Sequence, residues 1–181
     1  MRPIDVYSSC LAEPVCDMRA HLPYLQKIAC GNILEIGVRG GASTSAFLLG
    51  LEEHGGHLWS VDIDPSCGSK FAHHPQWTFI HGNSLKWDRV KQQISPRGLP
   101  VDILFIDGDH SLGGVLADLE NYWEWLRPGG TILMHDVNEP MLPEVRMAMN
   151  QFLAGKDWKH EIRAESHGLA VIEVPGVRVN A

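Results

Sequence analysis

The sequence predicts an α/β domain built on a doubly wound, mainly parallel sheet with a C-terminal antiparallel hairpin. Three observations lead there. Short apolar runs recur along the chain, each bounded by glycine or polar residues, as buried strands are. Segments with apolar residues three and four apart separate those runs, and strands alternating with helices imply a parallel sheet covered on both faces. The last two apolar runs are joined only by a short polar turn, which calls for an antiparallel pair at one end of the sheet.

Residues 18–29 carry Met18, Leu22, Leu25 and Ile28 at helical spacing, with Pro23 placed in the first turn, where its missing N–H is tolerated. Residues 32–36 (NILEI) form an apolar run between Gly31 and Gly37, and 44–52 is the helix that follows a glycine-rich turn. The second strand, 58–61, ends at Asp62; the third, 78–81, at Gly82; the fourth, 101–106, at Asp107. Leu112, Val115, Leu119, Tyr122 and Leu126 then mark an amphipathic helix stopped by Pro128, Gly129 and Gly130. The fifth strand, 131–134, ends at His135 and Asp136. Residues 144–153 are helical, and 158–164 and 169–174 are the arms of the hairpin about the polar turn 165–168. Ligands of doubly wound sheets bind outside the carboxyl ends of the strands. The polar residues that close each strand therefore converge on one rim.

At 181 residues the chain suits one domain over 1–181, able to bury roughly 70% of its unfolded surface without disulfide help. No repeat, low-complexity run or linker divides it. The formal net charge of −7 argues against a nucleic-acid or anionic-membrane surface as main partner, since both need a clustered basic face. A small neutral or cationic molecule fits instead. Cys10, Cys16, Cys30 and Cys67 form no C-x-x-C pair and no ligand spacing with histidine, so they read as reduced thiols of a cytoplasmic protein. The sequence predicts no export signal, and no stretch reaches the roughly 20 apolar residues of a membrane span.

The segment LEIGVRGGAST lies between a strand and a helix. Its glycines let the backbone turn tightly and approach a ligand, and the helix N-terminus offers unpaired N–H groups to a negative one. Arg39 takes the second glycine position of the dinucleotide fingerprint, which counts against a nicotinamide or flavin site. Its side chain suits a cofactor carboxylate or a nearby acid equally well. Asp62, about 20 residues further on, closes a strand where a carboxylate can accept both hydrogen bonds of a ribose diol. Asp64 reads as a solvated turn residue before Pro65. In IHGNS, the Asn83 amide has the donor and acceptor needed to read an adenine edge, with Ser84 beside it; a plain turn is the other reading.

FIDGDHS and HDV place Asp107, Asp109, His110, His135 and Asp136 at the ends of the fourth and fifth strands. Carboxylates on adjacent strand ends suit Mg²⁺, which completes its shell with water and substrate oxygens and would lower the pKa of a substrate hydroxyl. Without a metal, His110 is either a general base or a structural histidine. Trp123 and Trp125 read as packing, and His73 with His74 as a surface turn.

In order and spacing, LEIGVRGGAST, SVDID, IHGNS, FIDGDHS and LRPGGTILMHDV resemble the class I S-adenosylmethionine-dependent methyltransferases. FIDGDHS and HDV look like the small-molecule O-methyltransferase branch that includes the macrocin and catechol enzymes. The resemblance covers residues 32–137 and implies a Rossmann-like fold with S-adenosylmethionine as cofactor. By that resemblance Glu35, Gly37 and Gly41 shape the methionine pocket, Asp62 holds the ribose, and Asn83 and Ser84 face the adenine; Arg39, Ser43 and Asp107 are further candidate cofactor contacts. Asp107 and Asp136 match the metal positions of the catechol-type enzymes. The Asn that follows there is Val137 here, with Asn138 next to it as a substitute, and Asn83 stands where Asp is more common.

The implied reaction is methyl transfer to a hydroxyl of a small molecule, a sugar or a phenol, with Asp107, His110 and Asp136 as catalytic residues. The alternatives are a nitrogen or carbon methyltransferase, whose acidic rim would orient rather than deprotonate the acceptor, and a noncatalytic nucleoside-binding module. With so short a segment before the first strand and no long insert, the acceptor pocket is open or is completed by a second subunit of a homo-oligomer.

Overall fold

Alternation along the central strands sorts the side chains into two cores. In β1 (Gly31–Ile36), Leu34 and Ile36 enter one hydrophobic cluster and Ile33 the other; in β4 (Val101–Ile106), Leu104 and Ile106 oppose Ile103 and Phe105 in the same way. Such strands are apolar on both faces because helices cover both. Each fully buried side chain of this size contributes roughly 1.5–3 kcal/mol.

The computed structural model describes residues 1–94 and 99–176. One layer holds α1 (Pro3–Ala12), α2 (Leu22–Ile28) and α3 (Ala42–His54), whose Tyr7, Leu25 and Phe47 join the cluster of Ile33 and Phe105. The other holds α4 (Trp87–Ile94), α5 (Leu112–Tyr122) and α6 (Pro143–Leu153), whose Val90, Leu119 and Phe152 join that of Leu34 and Leu104. Between them lie β1, β2 (Gly56–Asp62), β3 (Trp77–His81), β4, β5 (Leu126–His135), β6 (His160–Arg163) and β7 (Leu169–Glu173), in the sheet order β3-β2-β1-β4-β5-β7-β6. The pairs among β1 to β5 are parallel, and β7 is antiparallel to both β5 and β6. This is the mostly parallel, Rossmann-like sheet with antiparallel C-terminal strands that the sequence predicts. The chain winds outward from β1 to β3 and then returns to β4, which makes the gap between β1 and β4 the topological switch point.

The differences have local causes. The helix expected over 18–29 begins only at Leu22, and α1 and α4 were not anticipated. Each of those two hides few side chains, Pro3, Tyr7 and Cys10 in α1, Val90 and Ile94 in α4, so neither carries a full apolar stripe. Helix α5 stops at Tyr122 rather than running to Leu126; Trp123–Trp125 form a 3₁₀ turn. Strand β5 starts at Leu126 and passes through Pro128, Gly129 and Gly130. Proline is accommodated because the ladder to β4 shifts register between Val101 and Ile103, so no N–H is required there.

Cys10 and Cys16 form a disulfide, with Cα atoms 5.6 Å apart, while exposed Cys30 and buried Cys67 are free. This corrects the reading of four reduced thiols. The turn after α1 brings Cys16 back to Cys10, a proximity that the absence of a C-x-x-C pattern does not reveal. The cysteine argument for a cytoplasmic setting falls with it. Among the described residues no helix is long and apolar enough to cross a membrane.

Candidate active site

At the switch point the backbones of β1 and β4 nearly touch. Gly37 follows β1 with φ +95°, and a Cβ built on it would collide with the Asp107 carbonyl oxygen. Only glycine fits there. The loop beyond is held by Asp62, whose Oδ2 accepts the N–H groups of Val38 (2.8 Å) and Arg39 (3.1 Å) and whose Oδ1 accepts that of Asp64 (2.8 Å). Burial would raise the Asp62 pKa, but these backbone donors outweigh it and hold the carboxyl below its ordinary range. These three donors, with the Cys67 thiol also beside it, occupy most of the acceptor directions of the carboxylate. Arg39 takes φ +44° and sends its side chain outward to Asp17, 3.2 Å away. Asp64 is exposed and accepts from the Ser66 N–H, a turn residue as expected.

Glu35 is fully buried and accepts the hydroxyls of Ser43 (2.6 Å), Thr44 (2.8 Å) and Ser60 (2.6 Å), while the Trp77 indole donates to Ser60 (2.9 Å). The cluster clamps the N-terminus of α3 onto β1 and β2. Burial pushes the Glu35 pKa up to about 7, with the three hydroxyls pulling it back. On the β3 rim, Asn83 Oδ1 accepts the Leu85 N–H at 2.8 Å and the Ser84 carbonyl accepts the Tyr122 hydroxyl at 2.5 Å.

The acidic end of the site is made by β4, α5 and β5. His110 Nε2 lies 3.1 Å from Asp136 Oδ2 and 3.6 Å from Asp107 Oδ1, without the alignment of a hydrogen bond to either. One ligand atom from each of Asp107, His110 and Asp136 falls within 4.8 Å of the others. Behind them His135, 2% exposed, turns Nδ1 toward Asp136 Oδ1 (3.2 Å) and Asp107 Oδ1 (3.4 Å), and its Nε2 lies 3.0 Å from the Ser166 carbonyl. Carboxylates near Nδ1 and a carbonyl near Nε2 favour the protonated ring of His135. Its pKa rises to about 10 despite burial, because the two carboxylates overcome desolvation. Asp136 has φ +61° and also meets His167 Nδ1 at 3.3 Å.

A single cavity of about 910 Å³ joins the two ends, within the size range of ligand pockets. It is lined by Gly37, Arg39, Asp62, Asn83, Ser84, Asp107, His110 and Asp136 among the residues expected from sequence. Glu35 and Ser43 lie behind its wall, and Gly41 caps α3 in the left-handed conformation outside the lining. Val137 is buried in the core, and Asn138 is hydrogen-bonded to Arg146 (2.6 Å) rather than joining the carboxylates. The third ligand-type side chain beside the two carboxylates is His110. Sequence reasoning missed Asp17, Asp118, Glu139, Met141 and His167, all of which line the cavity. Asp118 alone left a signal, a charge on the apolar face of α5 between Val115 and Tyr122.

A family profile described as a methyltransferase domain matches residues 34–137, more than half of the chain. The chain belongs to this methyltransferase family. Among solved structures it is similar to a candidate caffeoyl-CoA O-methyltransferase from Staphylococcus aureus, with TM-score 0.72 and 18% identity over 94% of this chain and 91% of that one. It is also similar to the MycE methyltransferase of mycinamycin biosynthesis, seen with Mg, SAH and mycinamycin VI (TM-score 0.66, 17% identity, 100% of this chain and 57% of that one). A third is CalS11, a TDP-rhamnose 3'-O-methyltransferase of calicheamicin biosynthesis (TM-score 0.64, 14% identity, 94% and 92%). At these identities the likeness is one of fold. An uncharacterised protein of Acanthamoeba polyphaga mimivirus is 38% identical over 55 residues, 30% of this chain and 25% of the viral protein, so the match spans about a quarter of that relative.

Proposed function

We propose that residues 1–181 act as one domain that transfers the methyl group of S-adenosylmethionine to a hydroxyl of a small molecule, sugar- or phenol-like. The observation that carries this is that one cavity is lined both by the glycine turn with Asp62 and by Asp107, His110 and Asp136. In this reading Gly37 lets the cofactor approach the backbone, Asp62 accepts a ribose hydroxyl, and Asn83 and Ser84 border the nucleobase. The acceptor oxygen attacks the methyl carbon as the carbon–sulfur bond breaks, leaving S-adenosylhomocysteine and releasing the hydroxyl proton. The O-methyltransferases among the similar folds and the acidic rim support transfer to oxygen, and the net charge of −7 supports a small molecule over nucleic acid. Ile63 and Met141, 71% and 83% exposed, flank the mouth and suit an apolar portion of the acceptor or a second copy of the chain.

The donor set of two carboxylates and an imidazole fits a divalent cation, because His110 Nε2 has no aligned partner and the three ligand atoms converge. Asp107, Asp136 and His110 would hold Mg²⁺, which would polarise the acceptor hydroxyl. Without it the two carboxylates raise the His110 pKa to about 9, so at neutral pH the ring carries a proton and is poorly suited to act as a base. The test is calorimetry with S-adenosylhomocysteine followed by methyl transfer to a panel of sugar and phenol acceptors, with and without chelator. Binding with no turnover on any hydroxyl, amine or carbon acceptor would favour a nucleoside-binding module. No binding would overturn the proposal.

A further inference from the structure

Asp118 is wholly buried on α5, yet it lines the cavity and neither of its carboxyl oxygens has a hydrogen-bond partner. An unpartnered buried carboxyl is costly, and natural proteins keep few of them without a use. Its surroundings are built. Val115, Leu119 and Tyr122 bury the rest of that helix face, and the Tyr122 hydroxyl ties α5 to the Ser84 carbonyl on the β3 rim at 2.5 Å. The Ser84 side chain stands beside the carboxyl without completing a hydrogen bond. Gly108, which also lines the cavity, lies across from it: a Cβ there would stand 3.7 Å from Asp118 Oδ2, in ordinary contact.

Asn83 Oδ1 and the Ser84 carbonyl each already accept one hydrogen bond, from the Leu85 N–H and the Tyr122 hydroxyl, whereas Asp118 accepts none. Asp118 is left to accept a donor from the ligand. We infer that Asp118 receives the exocyclic amino group of the purine held in this cavity and so makes the site selective for 6-amino over 6-oxo purines. The inference rests on the cofactor reading above and names the residue that reads the base. An ionised carboxylate is acceptor-only: it pairs with an amino N–H and repels the carbonyl oxygen that replaces it in a 6-oxo purine. Burial, partly offset by Ser84, raises the Asp118 pKa to about 6, so the carboxylate form prevails at pH 8.

The experiment is calorimetry of the intact protein at pH 8 with S-adenosylhomocysteine and with its deaminated analogue, S-inosylhomocysteine. The expected wild-type preference for the adenosyl compound is roughly ten- to hundred-fold, the usual worth of a hydrogen bond to a charged group. In Asp118→Asn the preference should shrink to about threefold or less, because the amide can donate to the 6-oxo group as well as accept. Equal wild-type affinity for the two compounds, or an unchanged preference in a folded Asp118→Asn, overturns the assignment. If the wild type binds neither, the cofactor reading itself fails.

Discussion

His110 Nε2 stands 3.1 Å from Asp136 Oδ2, close enough to share charge and too poorly aligned to share a hydrogen bond. Asp107 first and Asp136 with it raise the His110 pKa to about 9, against partial burial, which lowers it. A folded pKa above the unfolded value near 6.5 contributes stability that is fully present below pH 6.5 and lost as pH rises through 9. We expect the thermal midpoint of metal-free protein to fall by several degrees between pH 7 and 10, and His110→Gln to flatten that fall. Differential scanning calorimetry across the range checks it; identical slopes would contradict it.

A divalent cation at Asp107, His110 and Asp136 must displace the imidazole proton, so binding should release protons and tighten as pH rises. Titrating Mg²⁺ or Mn²⁺ at pH 7 in buffers of different ionisation enthalpy measures that release directly. Asp107→Asn and His110→Ala should each weaken binding by about ten-fold or more. Chelation should stop methyl transfer while leaving S-adenosylhomocysteine affinity nearly unchanged. Heat signals that do not depend on the buffer would argue against proton displacement.

Asp62 does two jobs at once, fastening the Val38 and Arg39 amides and facing the cavity. Asp62→Ala should therefore lower S-adenosylhomocysteine affinity by roughly ten- to hundred-fold. It should also speed amide exchange at residues 38 and 39. Gly37→Val should abolish binding, since a side chain there meets the Asp107 backbone. Full affinity in folded Asp62→Ala would remove that carboxylate from the ligand site.

Glu35 is raised to about 7 by burial, above its unfolded value near 4.5, so it favours the fold most below pH 4.5 and loses that advantage as pH climbs through 7. The lost stabilisation is on the order of 3 kcal/mol. Urea unfolding between pH 5 and 8 should show declining stability, and Glu35→Gln should remove most of the slope. A wild-type curve that stays level would show that the three hydroxyls hold the carboxylate ionised throughout.

The strands were legible because a buried parallel sheet needs unbroken apolar runs, and NILEI and VDILFI supply them with punctuation at both ends. Strand β5 was misread at its start because Pro128 and two glycines imitate a stop signal, whereas a register shift opposite Val101 lets the chain pass. In the site, the residues that close strands were readable since topology alone brings them to one rim. A motif shows which residues are near a loop, not which way a side chain points: alternation turns Glu35 inward, toward Ser60, and neither it nor Ser43 lines the cavity. His167 came from a turn between β6 and β7 that carries no pattern of its own. The Cys10–Cys16 pairing depended on a chain reversal after α1 that neither cysteine announces.

Gly37 fixes what a protein engineer can and cannot exchange in this molecule. With its Cα packed against the Asp107 backbone, the two strand ends meet without an intervening side chain, so neither can shift toward the other. Substitutions meant to reshape the cavity therefore belong at Met141 and Leu142, which line it from the segment leading into α6 and leave this joint alone.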